Sequence, residues 1–169
     1  RLYLSSPAEG AWNMALDEAI LEDVVRGVSL PTMRLYGWAP PCLSLGRSQP
    51  FSDVEPAVLR QNGWQVVRRV TGGRAILHTD EITYSIIAPE SNSHVSGGVL
   101  ESYQHLARGL LASLKILGAK VEMNADKLDR KARENPVCFE TPSAYEITVD
   151  RKKLIGSAQA RMKGGVLQH

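Results

Sequence analysis

Arg68-Arg69-Val70-Thr71-Gly72-Gly73-Arg74-Ala75-Ile76-Leu77-His78 is the stretch whose reading decides the fold. An alternating run, Trp64-Gln65-Val66-Val67, enters it, and Ala75-Ile76-Leu77 leaves it, so the pattern predicts strand, glycine turn, strand. Glycine lets the backbone take positive φ and lets a ligand approach bare N–H groups. Arginine beside such a turn offers a fixed fork of donors for a carboxylate, a phosphate or a polarised carbonyl. The stretch therefore reads either as a binding loop or as a hairpin turn with solvated arginines.

On the amino-terminal side, residues 10–25 carry helical periodicity. Trp12, Ala15, Leu16, Ala19, Ile20 and Val24 are expected on one face, and Asp17, Glu18, Glu22 and Asp23 on the other. Thr32–Tyr36 and Cys42–Gly46 read as strands separated by Pro40-Pro41. A short helix over Pro56–Asn62 is expected to close at Gly63. On the carboxy-terminal side, Ile82–Ile87 reads as a strand ending at Pro89, and Ser91–Gly98 as a linker. Val99–Leu117 reads as a long amphipathic helix with a stripe of Tyr103, Leu106, Ala107, Leu110, Leu111, Leu114 and Leu117. Ala119–Met123 can return as a strand, and Asn124–Pro136 is charged and aperiodic. Ala144–Val149, Lys153–Ile155 and Gly165–Leu167 then read as strands with tight polar turns. Most strands follow one another through short turns, with two long helices inserted. The fold class expected is α+β: a mixed, largely antiparallel sheet with helices packed on one face.

A length of 169 residues suits one domain with a real core, and 43% hydrophobic with 22% charged residues is an ordinary soluble balance. A net charge of +2 is too small to argue by itself for nucleic acid or an anionic membrane, neither of which is expected as a partner, and no apolar run approaches a membrane span. Cys42 and Cys138 form no CxxC, and the histidines at 78, 94, 105 and 169 lack ligand spacing. No disulfide framework and no metal site are expected, and the setting expected is a reducing cytoplasm. The chain opens at Arg1 and stops at Gln168-His169 inside an apolar run. It is expected to be a single catalytic domain over 1–169, truncated at its C-terminal end.

Three segments can carry chemistry: Arg68–His78, Val137-Cys138-Phe139-Glu140-Thr141-Pro142-Ser143, and Arg151–Gln159. In the third, Lys153 runs into Gly156-Ser157-Ala158-Gln159, where small side chains permit close approach and a lysine can hold a negative charge or an acyl carbonyl. The competing reading is a solvated hairpin turn.

Taken in order, Arg-Arg-x-Thr-Gly-Gly-Arg-Ala-x-x-His, Lys-Leu-x-Gly-Ser-Ala-Gln and Leu-Gln-His resemble the lipoate–protein ligase and octanoyltransferase family. Trp12–Glu18 and Ser44–Gln49 are similar to the same family. The resemblance implies the biotin- and lipoate-ligase catalytic fold, similar to class II synthetases. It matches Lys153 to a lysine contacting the acyl carbonyl, and Arg68, Arg69, Thr71, Gly72, Gly73 and Arg74 to the binding loop. His78 matches a histidine along the pocket, and Gly156, Ser157 and Ala158 match a small-residue wall. One branch of the family activates lipoate with ATP and Mg2+. The other takes octanoyl from acyl carrier protein through an enzyme cysteine, needs no tightly bound cofactor, and passes it to a lipoyl domain such as the glycine-cleavage H protein. Gly72-Gly73-Arg74 and Cys138 in Cys-Phe-Glu-x-Pro-Ser resemble the second branch, the cysteine-dependent N-octanoyltransferases. Cations near Cys138 would favour its thiolate, and Lys153 is the natural candidate if the strands between them pair as a hairpin. The alternative for Cys138 is a small buried hydrophobe. Lys127, Arg130, Lys131 and Arg133 read either as a basic rim for an acidic carrier or as an ordinary solvated loop, diluted by Asp126, Asp129 and Glu134.

Overall fold

The computed structural model describes residues 1–123, 147–150 and 152–169. Cys138 with its 137–143 motif, the charged segment at 126–134 and Arg151 lie outside the described residues. The chain divides into two compact units, Arg1–Glu90 with Ala158–His169, and Ser91–Ser157.

The first unit holds a five-stranded sheet of β1 (Leu2–Leu4), β2 (Thr32–Tyr36), β6 (Thr83–Pro89), β10 (Gln159–Met162) and β11 (Gly165–Gln168). Its strand order is β1-β2-β6-β11-β10, antiparallel except for the parallel β1–β2 pair. Helix α1 (Gly10–Val25) lies against this sheet, with Ile20, Leu21 and Val24 packed on Ile87 and Leu167. A second sheet contains β3 (Cys42–Leu45), β4 (Gln65–Arg68) and β5 (Ile76–His78). The short helix α2 (Pro56–Asn62) precedes β4 and ends at Gly63 as expected. Met14 of α1 joins Tyr36, Trp38, Cys42 and Val67, so the same helix seals both sheets. These helices and sheets are the α+β arrangement expected from the pattern of elements.

The second unit holds α3 (Val99–Ile116) and a sheet of β7 (Glu122–Met123), β8 (Ile147–Val149) and β9 (Lys152–Ile155) in that order. Of the expected α3 stripe, Leu106 and Ala107 are buried and Tyr103, Leu110, Leu111 and Leu114 half-buried, while Leu117 lies beyond the helix and is exposed. Strands β8 and β9 pair antiparallel, the hairpin expected before Lys153.

Two expectations need correction. Strands β4 and β5 do not pair with each other. Both flank β3, β4 parallel and β5 antiparallel, so the arginine–glycine stretch is a crossing loop and not a hairpin turn. The buried face of α1 is rotated from the one expected: Asn13 and Asp17 are buried, while Trp12 is 63% exposed. Hydropathy alone misplaces this face because the groups that receive Asn13 and Asp17 are polar and come from distant strands. Strand β1, three residues long, is too short to show a period in the sequence.

Candidate active site

The loop between β4 and β5 is shaped by its own arginines. Arg69 is buried, and its Nη1 donates to the carbonyl oxygen (2.8 Å) and Oγ (3.0 Å) of Ser44. Its Nη2 donates to the carbonyls of Gly72 (2.9 Å) and Arg74 (2.7 Å), which bracket Gly73. Arg68 reaches the other way, and its Nη1 donates to the carbonyls of Gly46 (2.8 Å) and Gln49 (2.5 Å) after β3. The two arginines expected to bind ligand therefore clamp backbone carbonyls, one inside the loop and one in the neighbouring turn. The clamp holds Gly73 at φ +90°, with its carbonyl oxygen where a Cβ on Gly46 would come within 1.9 Å. Only paired glycines allow that approach. Gly72 and Gly73 are exposed and Arg74 half-buried, so the loop offers its backbone to solvent from a fixed frame.

Thr71 anchors the loop from beneath. It is fully buried, and its Oγ1 lies 2.7 Å from Nε2 of His169. His169 Nδ1 lies 3.4 Å from Oδ2 of Asp17, and the His169 backbone exchanges both hydrogen bonds with Ala158. Asp17 is the hub of the unit. Its carboxylate accepts from Arg34 Nη1 (2.9 Å), Ser85 Oγ (2.9 Å) and Tyr36 Oη (3.2 Å). Arg34 also donates to the Asn13 backbone (3.1 Å) and to Asn13 Oδ1 (2.6 Å). Burial first, and then the negative charge of Asp17, push the Tyr36 hydroxyl far above its ordinary range, so it stays a donor. Ala158, expected as part of the small wall, stands beside Gly73: a methyl added there would meet the Ala158 Cβ at 4.0 Å.

His78, at the end of β5, is buried. Its Nε2 lies 2.8 Å from Ser44 Oγ and its Nδ1 2.6 Å from Glu81 Oε1, and the ring stacks on Trp38 at 3.9 Å. Burial lowers its pKa to about 4; Glu81 opposes that shift, and the charges of Arg69 and His169 add to it. The Glu81 contact is thus a hydrogen bond from a neutral ring at neutral pH. The unfolded ring has an ordinary pKa of about 6.5, so between pH 4 and 6.5 the unfolded chain binds more protons than the folded one. The His78 contribution to stability is complete above about pH 6.5 and falls toward pH 4, by at most about 1.4 kcal/mol per pH unit. Comparing urea unfolding of the wild type and His78→Gln across that range isolates it. Parallel curves would mean that the ring titrates normally.

In the second unit Lys153 sits half-buried on β9 opposite Thr148, and Gly156 and Ser157 follow the strand, half-buried. Cys42 is fully buried, with its thiol pKa pushed up to about 12 by burial. Ser44, Glu81, Asp17 and His169 were not identified as site residues from sequence. Ser44, Asp17 and His169 stood in motifs already quoted, but what each contacts depends on strand pairing.

Two octanoyltransferases named LipM are similar along the whole chain. That of Moorella thermoacetica is 46% identical over 171 residues, covering 100% of this chain and 63% of that protein. That of Exiguobacterium sp. is 46% identical over 175 residues, covering 100% and 62%. The chain thus spans less than two thirds of these relatives. Among solved structures, lipoate-protein ligase A bound with ATP matches with a TM-score of 0.80 at 26% identity, over 99% of this chain and 64% of that one. Protein Ta0514 from T. acidophilum with bound lipoic acid matches with a TM-score of 0.79 at 26% identity, over 99% and 65%. Residues 9–169 match the lipoyl protein ligase A/B catalytic domain. With the arginine-clamped glycine loop and the same fold in the solved ligases, this chain belongs to that catalytic-domain family.

Proposed function

We propose that the protein is a cytoplasmic octanoyltransferase of lipoate biosynthesis. It moves octanoyl from acyl carrier protein to a lysine of a lipoyl domain, with the glycine-cleavage H protein as acceptor. The observation that carries this reading is the 46% identity, along the entire chain, to relatives that are octanoyltransferases.

Cys138 attacks the carbonyl of the octanoyl thioester, and the tetrahedral oxyanion collapses by expelling the carrier's thiolate. The acceptor's lysine amine then attacks the Cys138 thioester, forms the amide, loses a proton and releases the Cys138 thiolate. Lys153 contacts the acyl carbonyl, and backbone N–H groups at Gly72-Gly73 stabilise the oxyanion. Arg68, Arg69, Thr71, Arg74 and His78 shape the loop, and Gly156, Ser157 and Ala158 let the chain approach. The thioester is already activated, so the transfer requires no ATP.

The state of Cys42 supports the choice of nucleophile. The sequence has two cysteines, and with a pKa of about 12 only about one Cys42 thiol in ten thousand ionises at pH 8. Incubation with octanoyl-acyl carrier protein should add one octanoyl group, read by intact mass. Cys138→Ser should remove it and Cys42→Ser retain it, while iodoacetamide at pH 8 should label Cys138 and spare Cys42. An adduct persisting in Cys138→Ser would overturn the assignment. Pyrophosphate release from ATP and lipoate, indifferent to Cys138→Ser, would instead mark a lipoate–protein ligase.

A further inference from the structure

Ser44, His78 and Glu81 form a hydrogen-bonded line that ends on Arg69. Ser44 on β3 and His78 on β5 are diagonal cross-strand neighbours, since Cys42 pairs with His78 and Ser44 with Ile76. The order carboxylate, imidazole, hydroxyl is that of a hydrolytic triad. The resemblance ends there, because Ser44 is 1% exposed and its Oγ is held by Arg69, leaving no place for a substrate carbonyl.

The direction of every bond in the line is determined by chemistry. A guanidinium only donates, so Ser44 Oγ accepts from Arg69 Nη1. That leaves Ser44 Oγ one proton to donate and a second lone pair, so the tautomer of His78 decides the direction of its bond to Nε2. A carboxylate only accepts, so the proton of the neutral ring resides on Nδ1 and is donated to Glu81 Oε1, and Nε2 accepts from the Ser44 hydroxyl. Glu81 is itself held, its Oε2 accepting the Thr79 N–H at 2.8 Å. The lowered pKa of His78, set first by burial, keeps the ring neutral at neutral pH and so leaves Nε2 free of a proton. No donor faces a donor anywhere along the line. At its far end Arg69 grips the carbonyls on either side of Gly73.

We propose that Ser44 and Glu81 are positioning residues: Ser44 directly, and Glu81 through His78 and Ser44, aim the Arg69 guanidinium and so set the shape of the Gly72-Gly73 loop for acyl transfer. This rests on the octanoyltransferase reading above. Glu81 is the member to vary, since its side chain is 38% exposed and its loss opens no large cavity. Glu81→Gln keeps an acceptor oxygen for Nδ1–H, and Glu81→Leu removes it.

The experiment reads two quantities. Long-range 1H–15N spectra of the imidazoles, with the His78 signals assigned by their loss in His78→Gln, report which nitrogen carries the proton. The rate of octanoyl-adduct formation reports on the loop. The wild type and Glu81→Gln should show the Nδ1–H tautomer of His78, and Glu81→Leu should lose it. Adduct formation should fall about tenfold or more in Glu81→Leu and return to within about threefold of wild type in Glu81→Gln. An Nε2–H or doubly protonated His78 ring in the wild type overturns the relay whatever the activity. An unchanged rate in Glu81→Leu overturns its link to the loop. A wild type that takes no octanoyl would sink the functional reading instead, and the tautomer would still report on the relay.

Discussion

Asp17→Ala is expected to destabilise the protein by about 3–5 kcal/mol, the cost of removing one partner from a buried ion pair. Arg34 and Asp17 face each other at 2.9 Å with side chains 0% and 1% exposed. A guanidinium cannot neutralise itself by losing its proton, so without Asp17 its charge stays buried, left among the described residues with oxygens of Asn13 and Ser5 and the Tyr36 ring. Ser85, Tyr36 and His169 lose their acceptor in the same step. Against a total stability of about 5–15 kcal/mol, that loss takes a large share. Urea unfolding monitored by tryptophan fluorescence measures it. Asp17→Leu with Arg34→Met, which removes both charges, should recover much of the stability. A loss below about 1 kcal/mol in Asp17→Ala would mean that water reaches this site and the pair is not sealed.

The second large effect concerns Gly46. A methyl placed there would lie 1.9 Å from the Gly73 carbonyl oxygen, 2.8 Å from the Gly73 carbonyl carbon and 3.3 Å from that of Gly72. All three obstacles are backbone, so no rotamer change relieves the clash, and the loop must move. Arg69 holds the loop by its carbonyls and Arg68 holds Gly46 by its own, so neither side yields freely and displacing the loop breaks the Arg69 clamp. Gly46→Ala should therefore lower octanoyl-adduct formation on the order of 100-fold, what a misplacement near 1 Å can cost. Overpacking should also cost about 1–3 kcal/mol of stability. Gly109→Ala is the control: it lies within α3, a Cβ there meets nothing within 4 Å, and the change should leave transfer intact and stabilise by up to about 1 kcal/mol. A wild-type rate in Gly46→Ala would show that acyl transfer tolerates a displaced loop.

Periodicity and turn chemistry by themselves determined the helices at 10–25, 56–62 and 99–116 and most strands, because those signals are local and each element buries one face. The order of motifs also determined the family and drew attention to the Arg68–His78 stretch. Tertiary structure alone decided what that stretch does. Whether β4 and β5 pair with each other or flank β3 depends on contacts across more than twenty residues, which no local pattern encodes. The same holds for polar residues. Asp17 belongs on the wet face of α1 by hydropathy. It is buried because Arg34, Tyr36, Ser85 and His169, from two strands and the last residue of the chain, converge on its two oxygens. Arg68 and Arg69 read as ligand-binding by their charge, yet Arg68 holds carbonyls of the turn after β3, and Arg69 holds Ser44 and carbonyls of its own loop. A carbonyl that the fold places within 3 Å satisfies a guanidinium as a ligand would, and only the fold places it there.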